Sequence, residues 1–327
     1  MRKRAGGLQW RRNRRTLEEL VQSERVDLVH ARGIGPTRLA AAAAGDSAAW
    51  IVIGCGAEAV ARDRAYARAL LRADRVVAQS GYLADLIIDA QHVARDRVVV
   101  IPRPVDTKRF DPAAVSVERV AALRRAWRVE RGERIVLVPG RLDPGKGQLV
   151  LIDAVRMLVS GGLRHVVFVL AGDESRRPDY VRAVAERAQA HGIGPFIRQA
   201  GICPDMPAAY AAADFVAVPA IVPPAFPRSA AEALAMGRPL VASAIGGLPE
   251  VVLAPPRAPD SARTGWLVAP DDAGALAHGL AAAESLDLPA LRALGTRARR
   301  LATLLFAPSR VMEATLGVYT DLLQGKS

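Results

Sequence analysis

The chain is poor in cysteine, in aromatic residues and in long apolar runs. Its two cysteines, Cys55 and Cys203, have neither metal-ligand nor redox spacing. A metal centre is therefore not expected, and a reducing cytoplasm fits best. Aromatics are 5% of the chain, which leaves few stacking platforms for single-stranded nucleic acid. No apolar run reaches the roughly 18 residues needed to span a bilayer; the longest, such as 48–53, are strand-length. The opening MRKRAGGLQWRRNRRTLEEL is basic with no apolar core behind it, so it is not a secretory signal. Solenoid repeats are also lacking.

What the chain does have is size, apolar content and positive charge. Its 327 residues suffice for two domains, and 51% hydrophobic with 24% charged residues describes a globular protein. The net charge of +12 is nearly all arginine and leans towards residues 1–131. A surface of this sign suits nucleic acid, an anionic membrane or phosphorylated small molecules. Nucleic acid rests on net charge alone and is not taken as a partner. Arg11, Arg12, Arg14 and Arg15 beside Trp10 suit a peripheral contact with an anionic membrane; a solvated helix start is the alternative.

Short apolar runs alternate with helical patterns from end to end. VDLVH (26–30), WIVI (50–53), RVVA (75–78) and RVVVI (97–101) read as buried parallel strands, with helices at 15–23, 36–44, 59–71 and 82–90 between them. After a turn-rich stretch at 103–115 and a helix at 117–127, a second series begins at Arg134. Its strands are 135–140, 165–171, 197–200, 215–218, 239–243 and 265–268, and its helices include 147–159, 180–190 and 206–212. The end is helical from Ala273 through Leu304 and again from Ser309 to Leu323. This predicts two doubly wound α/β halves: a first domain over 1–128, a second over 129–307, and a C-terminal helix over 308–327 that packs back on the first.

Two places carry the chemistry. In IVLVPGRLDPGKGQLVLIDAV, Gly140 and Arg141 close a strand while Lys146 and Gly147 open the next helix. Two cations, flexible backbone and a helix N-terminus converge there, as a diphosphate would require; a surface loop with incidental charges is the alternative. In PAIVPPAFPRSAAEALAMGRPLVASAIGGLPE (219–250), a Pro-rich loop leads into a small-residue helix carrying Glu232, then a strand and the Gly246–Gly247 turn. A carboxylate so placed can hold a polyhydroxylated ligand, or it can simply serve the helix dipole.

VPGRLDPGKGQLVLIDA is similar to the Gly-Arg-x-x-x-x-Lys-Gly motif of the family 4 (group 1) retaining glycosyltransferases. FVLAGDE, AGICPDMPAAYAAADFVAVPA, PRSAAEALAMGRPLVASAIGGLPEVV and TGWLVAPDDAGALA resemble further landmarks of that family, in its order. RVDLVHAR, ADRVVAQS and VIPRPVDTKRF resemble its N-terminal ones, so the likeness covers nearly the whole chain. It implies a GT-B fold, with two Rossmann-like domains facing a cleft, and a nucleotide diphosphate sugar as donor substrate with no other cofactor and no metal. Arg141 and Lys146 would be the catalytic cations that clamp the leaving diphosphate. Gly140, Glu232, Gly246 and Gly247 would complete the donor-nucleotide site, Glu232 holding the ribose hydroxyls. Asp214, Glu250 and His30 are expected to be structural.

The sequence also departs from that family. In the E-x7-E motif the first carboxylate would fall at Pro224, and a usual glycine is Pro227. Cys55 precedes Gly56 where the family has His-Gly, and its opening strand and Gly-rich loop have no counterpart before Arg15. An incomplete N-terminal domain is therefore expected. Two functions stand: transfer of a sugar to a cell-envelope glycan or lipid-linked acceptor, in the cytoplasm or on the inner face of the membrane, or a catalytically impaired relative that binds nucleotide or acts as a scaffold.

Overall fold

The structure is a computed structural model and describes residues 2–43, 49–53 and 63–324. Cys55 and Gly56 lie outside the described residues. The chain divides into two compact units, 1–103 together with 309–327, and 104–308.

The first unit is built on four parallel strands in the order β1-β2-β3-β4: Leu28–Arg32, Ala49–Ile53, Arg75–Ala78 and Val98–Val100. Helix α1 (Arg2–Ser23) leads into β1, and α2 (Ile34–Ala43), α3 (Arg64–Arg72) and α4 (Gly81–Gln91) lie between the strands. α1 begins well before the predicted Arg15. Gly6 and Gly7 masked it in the sequence, while side-chain pairs one turn apart support it: Gln9–Asn13, Arg14–Glu18 and Arg15–Glu19 at 2.6–2.8 Å. Asp63 and Ser80 cap α3 and α4 by accepting backbone N–H groups. The C-terminal helix of the chain, Pro308–Gln324, seats Val318 in a core with Ile51, Val77 and Ile101 of this sheet. His30, in the middle of β1 rather than at a strand end, meets the Tyr319 hydroxyl through Nδ1, with the rings edge to face at 5.7 Å.

The second unit carries α5 (Val117–Ala126) and then a six-stranded parallel sheet. Its strands are β5 (Arg134–Pro139), β6 (Val166–Ala171), β7 (Ile197–Gly201), β8 (Phe215–Val218), β9 (Leu240–Ser243) and β10 (Gly265–Val268), in the order β10-β9-β8-β5-β6-β7. Helices α6 (Gln148–Ser160), α7 (Pro178–Ala190), α8 (Met206–Ala212), α9 (Arg228–Ala235), α10 (Leu248–Val251), α11 (Ala273–Glu284) and α12 (Leu288–Phe306) follow in chain order, which makes the C-terminal helix α13. The apolar runs are continuous because both sheet faces are covered. On β5, Ile135 and Leu137 enter one core while Val136 and Val138 enter the other. Asp214 is structural here: its Oδ2 accepts the Ile135 N–H at 2.8 Å and pins the start of β5 beside β8.

Two boundaries differ from the prediction. Residues 104–128, assigned above to the first domain, belong to the second unit, because Val105, Phe110 and Trp127 are buried in its core. Arg119 of α5 also makes two hydrogen bonds to Asp205, at 2.8 and 2.7 Å. The helical stretch from Ala273 to Leu304 breaks at 285–287, where Asp287 caps α12 by accepting the Ala290 N–H and Pro289 suits its first turn.

Candidate functional site

From β5 the chain steps to β6 and β7 on one side, then crosses back to β8, β9 and β10 on the other. The order reverses between β5 and β8, and loops leaving the carboxyl ends of those two strands diverge around a crevice where ligands bind in sheets of this kind. Every predicted site residue lies in the loops or helices that follow β5, β8 or β9.

The loop after β5 is held from below by backbone and buried side chains. Gly140 gives its N–H to Ala171 at 2.9 Å, and Leu142 gives its N–H to Asp173 at 3.1 Å. Asp143 caps the short turn 144–146 by accepting the Gly145 N–H at 3.1 Å. Beneath them runs a relay that the sequence did not disclose. The Gln148 amide, 2% exposed, donates to the Arg141 carbonyl at 3.0 Å and accepts from the Tyr180 hydroxyl at 3.2 Å. This fixes the backbone of Arg141 and leaves its guanidinium free.

Lys146 is half-buried, and its stem passes over Gly140, where an added Cβ would lie 3.9 Å from Lys146 Cδ. Burial pushes its ammonium below the usual lysine range, the nearby Arg141 charge adds to that, and Asp143 opposes it. Neither Arg141 nor Lys146 makes a side-chain hydrogen bond or ion pair among the described residues. Two neighbouring cations left unpaired, one of them desolvated, form a site that an anion stabilises.

The loop after β8 touches this one directly. Gly147 has φ +73, and an added Cβ would stand 1.7 Å from the Pro219 carbonyl oxygen. Ile221 and Val222 both donate their N–H groups to the Gly145 carbonyl, at 3.1 and 3.2 Å. The loop then enters α9, whose alanines Ala230, Ala231, Ala233 and Ala235 are buried. Glu232 meets that core at its edge: its Oε2 accepts from the hydroxyl of buried Tyr210 at 3.1 Å, a proton shared with the Ser229 carbonyl at 3.1 Å. Burial raises the Glu232 carboxyl above the usual range. The Tyr210 hydrogen bond and the Arg228 and Arg109 charges pull it back. Tyr210 and Arg109 lie 22 and 123 residues from Glu232, so no local sequence signal announced them.

At Gly246 and Gly247 the close approach comes from the chain itself. Gly247 donates its N–H to the Pro224 carbonyl at 2.8 Å. An added Cβ at Gly246 (φ +60) would lie 2.7 Å from that same oxygen, and one at Gly247 would lie 2.9 Å from the Ala225 carbonyl. The glycines make room for the Pro-rich loop. Glu250 lies in α10, and Cys203 is a half-buried thiol pushed up by burial.

Two parallel-sheet α/β units, the second doubly wound with a cation pair at its switch point and the first with its described strands in sequential order rather than the doubly wound order expected, define the fold of a GT-B glycosyltransferase. Residues 133–284 match the family model described as "Glycosyl transferases group 1", and residues 2–109 match "Glycosyltransferase Family 4". The two glycosyltransferase models together span most of the chain, which has the GT-B fold. It is 32% identical over 259 residues to a D-inositol 3-phosphate glycosyltransferase of Saccharomonospora viridis, covering 77% of this chain and 56% of that one. A protein of the same name from Salinispora arenicola is 38% identical over 186 residues, 54% of this chain and 41% of that one. The chain thus spans about half the length of the curated relatives it matches. Among solved structures, a glycosyltransferase from Rickettsia africae superposes with a TM-score of 0.84 at 25% identity, covering 95% of this chain and 81% of the other. Anabaena HepE in complex with UDP superposes at 0.80 with 22% identity, over 93% and 82%.

Proposed function

We propose that the protein transfers a sugar from a nucleotide diphosphate sugar to a cell-envelope glycan or lipid-linked acceptor, with retention at the anomeric carbon. The observation that carries this reading is the unpaired cation pair, Arg141 and Lys146, where β5 and β8 diverge. When a nucleotide departs from an anomeric carbon, negative charge gathers on the diphosphate, and preorganised cations there lower the barrier most. Glu232, held by Tyr210, accepts hydrogen bonds from the ribose hydroxyls. The acceptor attacks from the face that the diphosphate leaves, and the donor phosphate takes its proton. Relatives named for glycosyl transfer to D-inositol 3-phosphate, and Anabaena structures with UDP and UDP-glucose, support a sugar-nucleotide donor.

A second reading is favoured by one observation. Pro224 has no side-chain acceptor, and its carbonyl is already given to Gly247. On this reading the chain binds nucleotide without turning it over. The experiment is transfer and hydrolysis from UDP- and GDP-sugars, run beside calorimetric UDP binding. Turnover supports the first reading; binding without turnover supports the second; no binding overturns both site assignments. We place the protein in the cytoplasm, with α1 touching the anionic inner face of the membrane. No described helix is long and apolar enough to cross it.

A further inference from the structure

We propose that the donor pocket reads the nucleoside diphosphate and is indifferent to the hydroxyl pattern of the glycosyl group attached to it. This rests on the reading of Arg141, Lys146 and Glu232 given above.

The segment that joins β8 to α9 is PAIVPPAFP, residues 219–227. It holds nine consecutive side chains with no hydrogen-bonding group, and four of them are prolines, which also lack an N–H. Much of the remaining backbone is committed within the fold. Ile221 and Val222 give their N–H groups to Gly145, and the Pro224 carbonyl is taken by Gly247. The Phe226 carbonyl accepts from Arg228, and the Pro227 carbonyl accepts from Ala230 and Ala231. The one aromatic ring, Phe226, turns onto Phe306 with centroids 5.6 Å apart.

The segment's position gives this chemistry its consequence. One end is clamped on the loop that carries Lys146, through Gly145 and Gly147. Its middle is clamped on Gly246 and Gly247, and its far end starts the helix of Glu232. A ligand with its diphosphate at Arg141 and Lys146 and its ribose at Glu232 has this segment as a wall. Val222 stands on that wall 47% exposed, its Cγ2 3.0 Å from where a Cβ on Gly145 would be. A sugar hydroxyl is told from its epimer by an oriented partner that the wrong isomer leaves unpaired, and the side chains of this wall supply none. Charge on the diphosphate and the carboxylate on the ribose are what remain to be read.

The test is titration calorimetry of the full chain with UDP, UDP-glucose and UDP-galactose, and with GDP, GDP-mannose and GDP-glucose. For whichever base binds, the bare diphosphate and both sugar forms are expected to agree within about threefold. Lys146→Met is expected to weaken all three by the same factor. Epimers separated by more than about tenfold, or a sugar form that much tighter than its diphosphate, overturn the proposal while leaving the nucleotide site standing. Absence of binding by every ligand overturns the nucleotide site and this proposal with it.

Discussion

Replacing Gly147 by alanine tests whether the β5 and β8 loops are locked together as described. Gly192 is the control, since its φ of +67 nearly matches the +73 of Gly147. A side chain in that left-handed region costs about 1–2 kcal/mol at either position. The surroundings separate them. At Gly192 an added Cβ meets nothing within 4 Å, whereas at Gly147 it would lie 1.7 Å from the oxygen and 2.8 Å from the carbon of the Pro219 carbonyl. Those are backbone atoms, so the 219–222 segment must move as a whole. Forced repacking of that kind costs about 1–3 kcal/mol. Moving it also strains two hydrogen bonds to Gly145, each with a net value of about 1 kcal/mol. Gly147→Ala is therefore expected to destabilise the second unit by about 3–5 kcal/mol more than Gly192→Ala does. Urea unfolding of the two variants, followed by tryptophan fluorescence and far-UV dichroism, measures the difference. Agreement of the two within about 1 kcal/mol would refute the close approach of the loops.

Three further outcomes are expected. Lys146→Met removes a half-buried cation whose folded pKa is lowered, so the apo protein gains stability at neutral pH while sugar transfer falls about 100-fold; paired thermal melts and initial rates check both signs. Glu232 has a raised folded pKa, so the stability it lends is full below its unfolded value and lost as pH rises through the folded one. Nucleotide binding through its carboxylate runs the opposite way. Glu232→Gln should flatten both pH profiles and weaken UDP by about tenfold, read by calorimetry across pH. On α1, Arg11 and Arg12 make no ion pair among the described residues, unlike Arg14 and Arg15. Their joint replacement by alanine should reduce binding to phosphatidylglycerol vesicles about 30-fold in sedimentation assays at low salt.

Much of this fold was legible because parallel strands buried on both faces leave continuous β-branched runs, as in IVLVP of β5 and VVFVLA of β6. The cation loop was legible because its chemistry is local, with Arg141 and Lys146 five residues apart in one turn-rich stretch. Long-range contacts hid the rest. The boundary at Arg103 was missed because Val105, Phe110 and Trp127 are scattered singly in polar sequence and become core only against β5, β6 and α8. Gln148 and Tyr180 meet across 32 residues, and Tyr210 reaches Glu232 across 22. The hold of Pro224 on Gly247 passes through backbone atoms, which side-chain patterns do not report.

On the proposed reading, the loops after β5 and β8 form a nucleoside diphosphate site built on Arg141, Lys146 and Glu232. Titration calorimetry of UDP and GDP against the parent protein and an Arg141→Ala, Lys146→Met double variant tests it most directly, with circular dichroism confirming that the variant is folded. One nucleotide should bind the parent saturably with one site per chain, and the folded double variant should lose at least about 100-fold in affinity. Equal affinity for both proteins, or no binding to the parent, would contradict it.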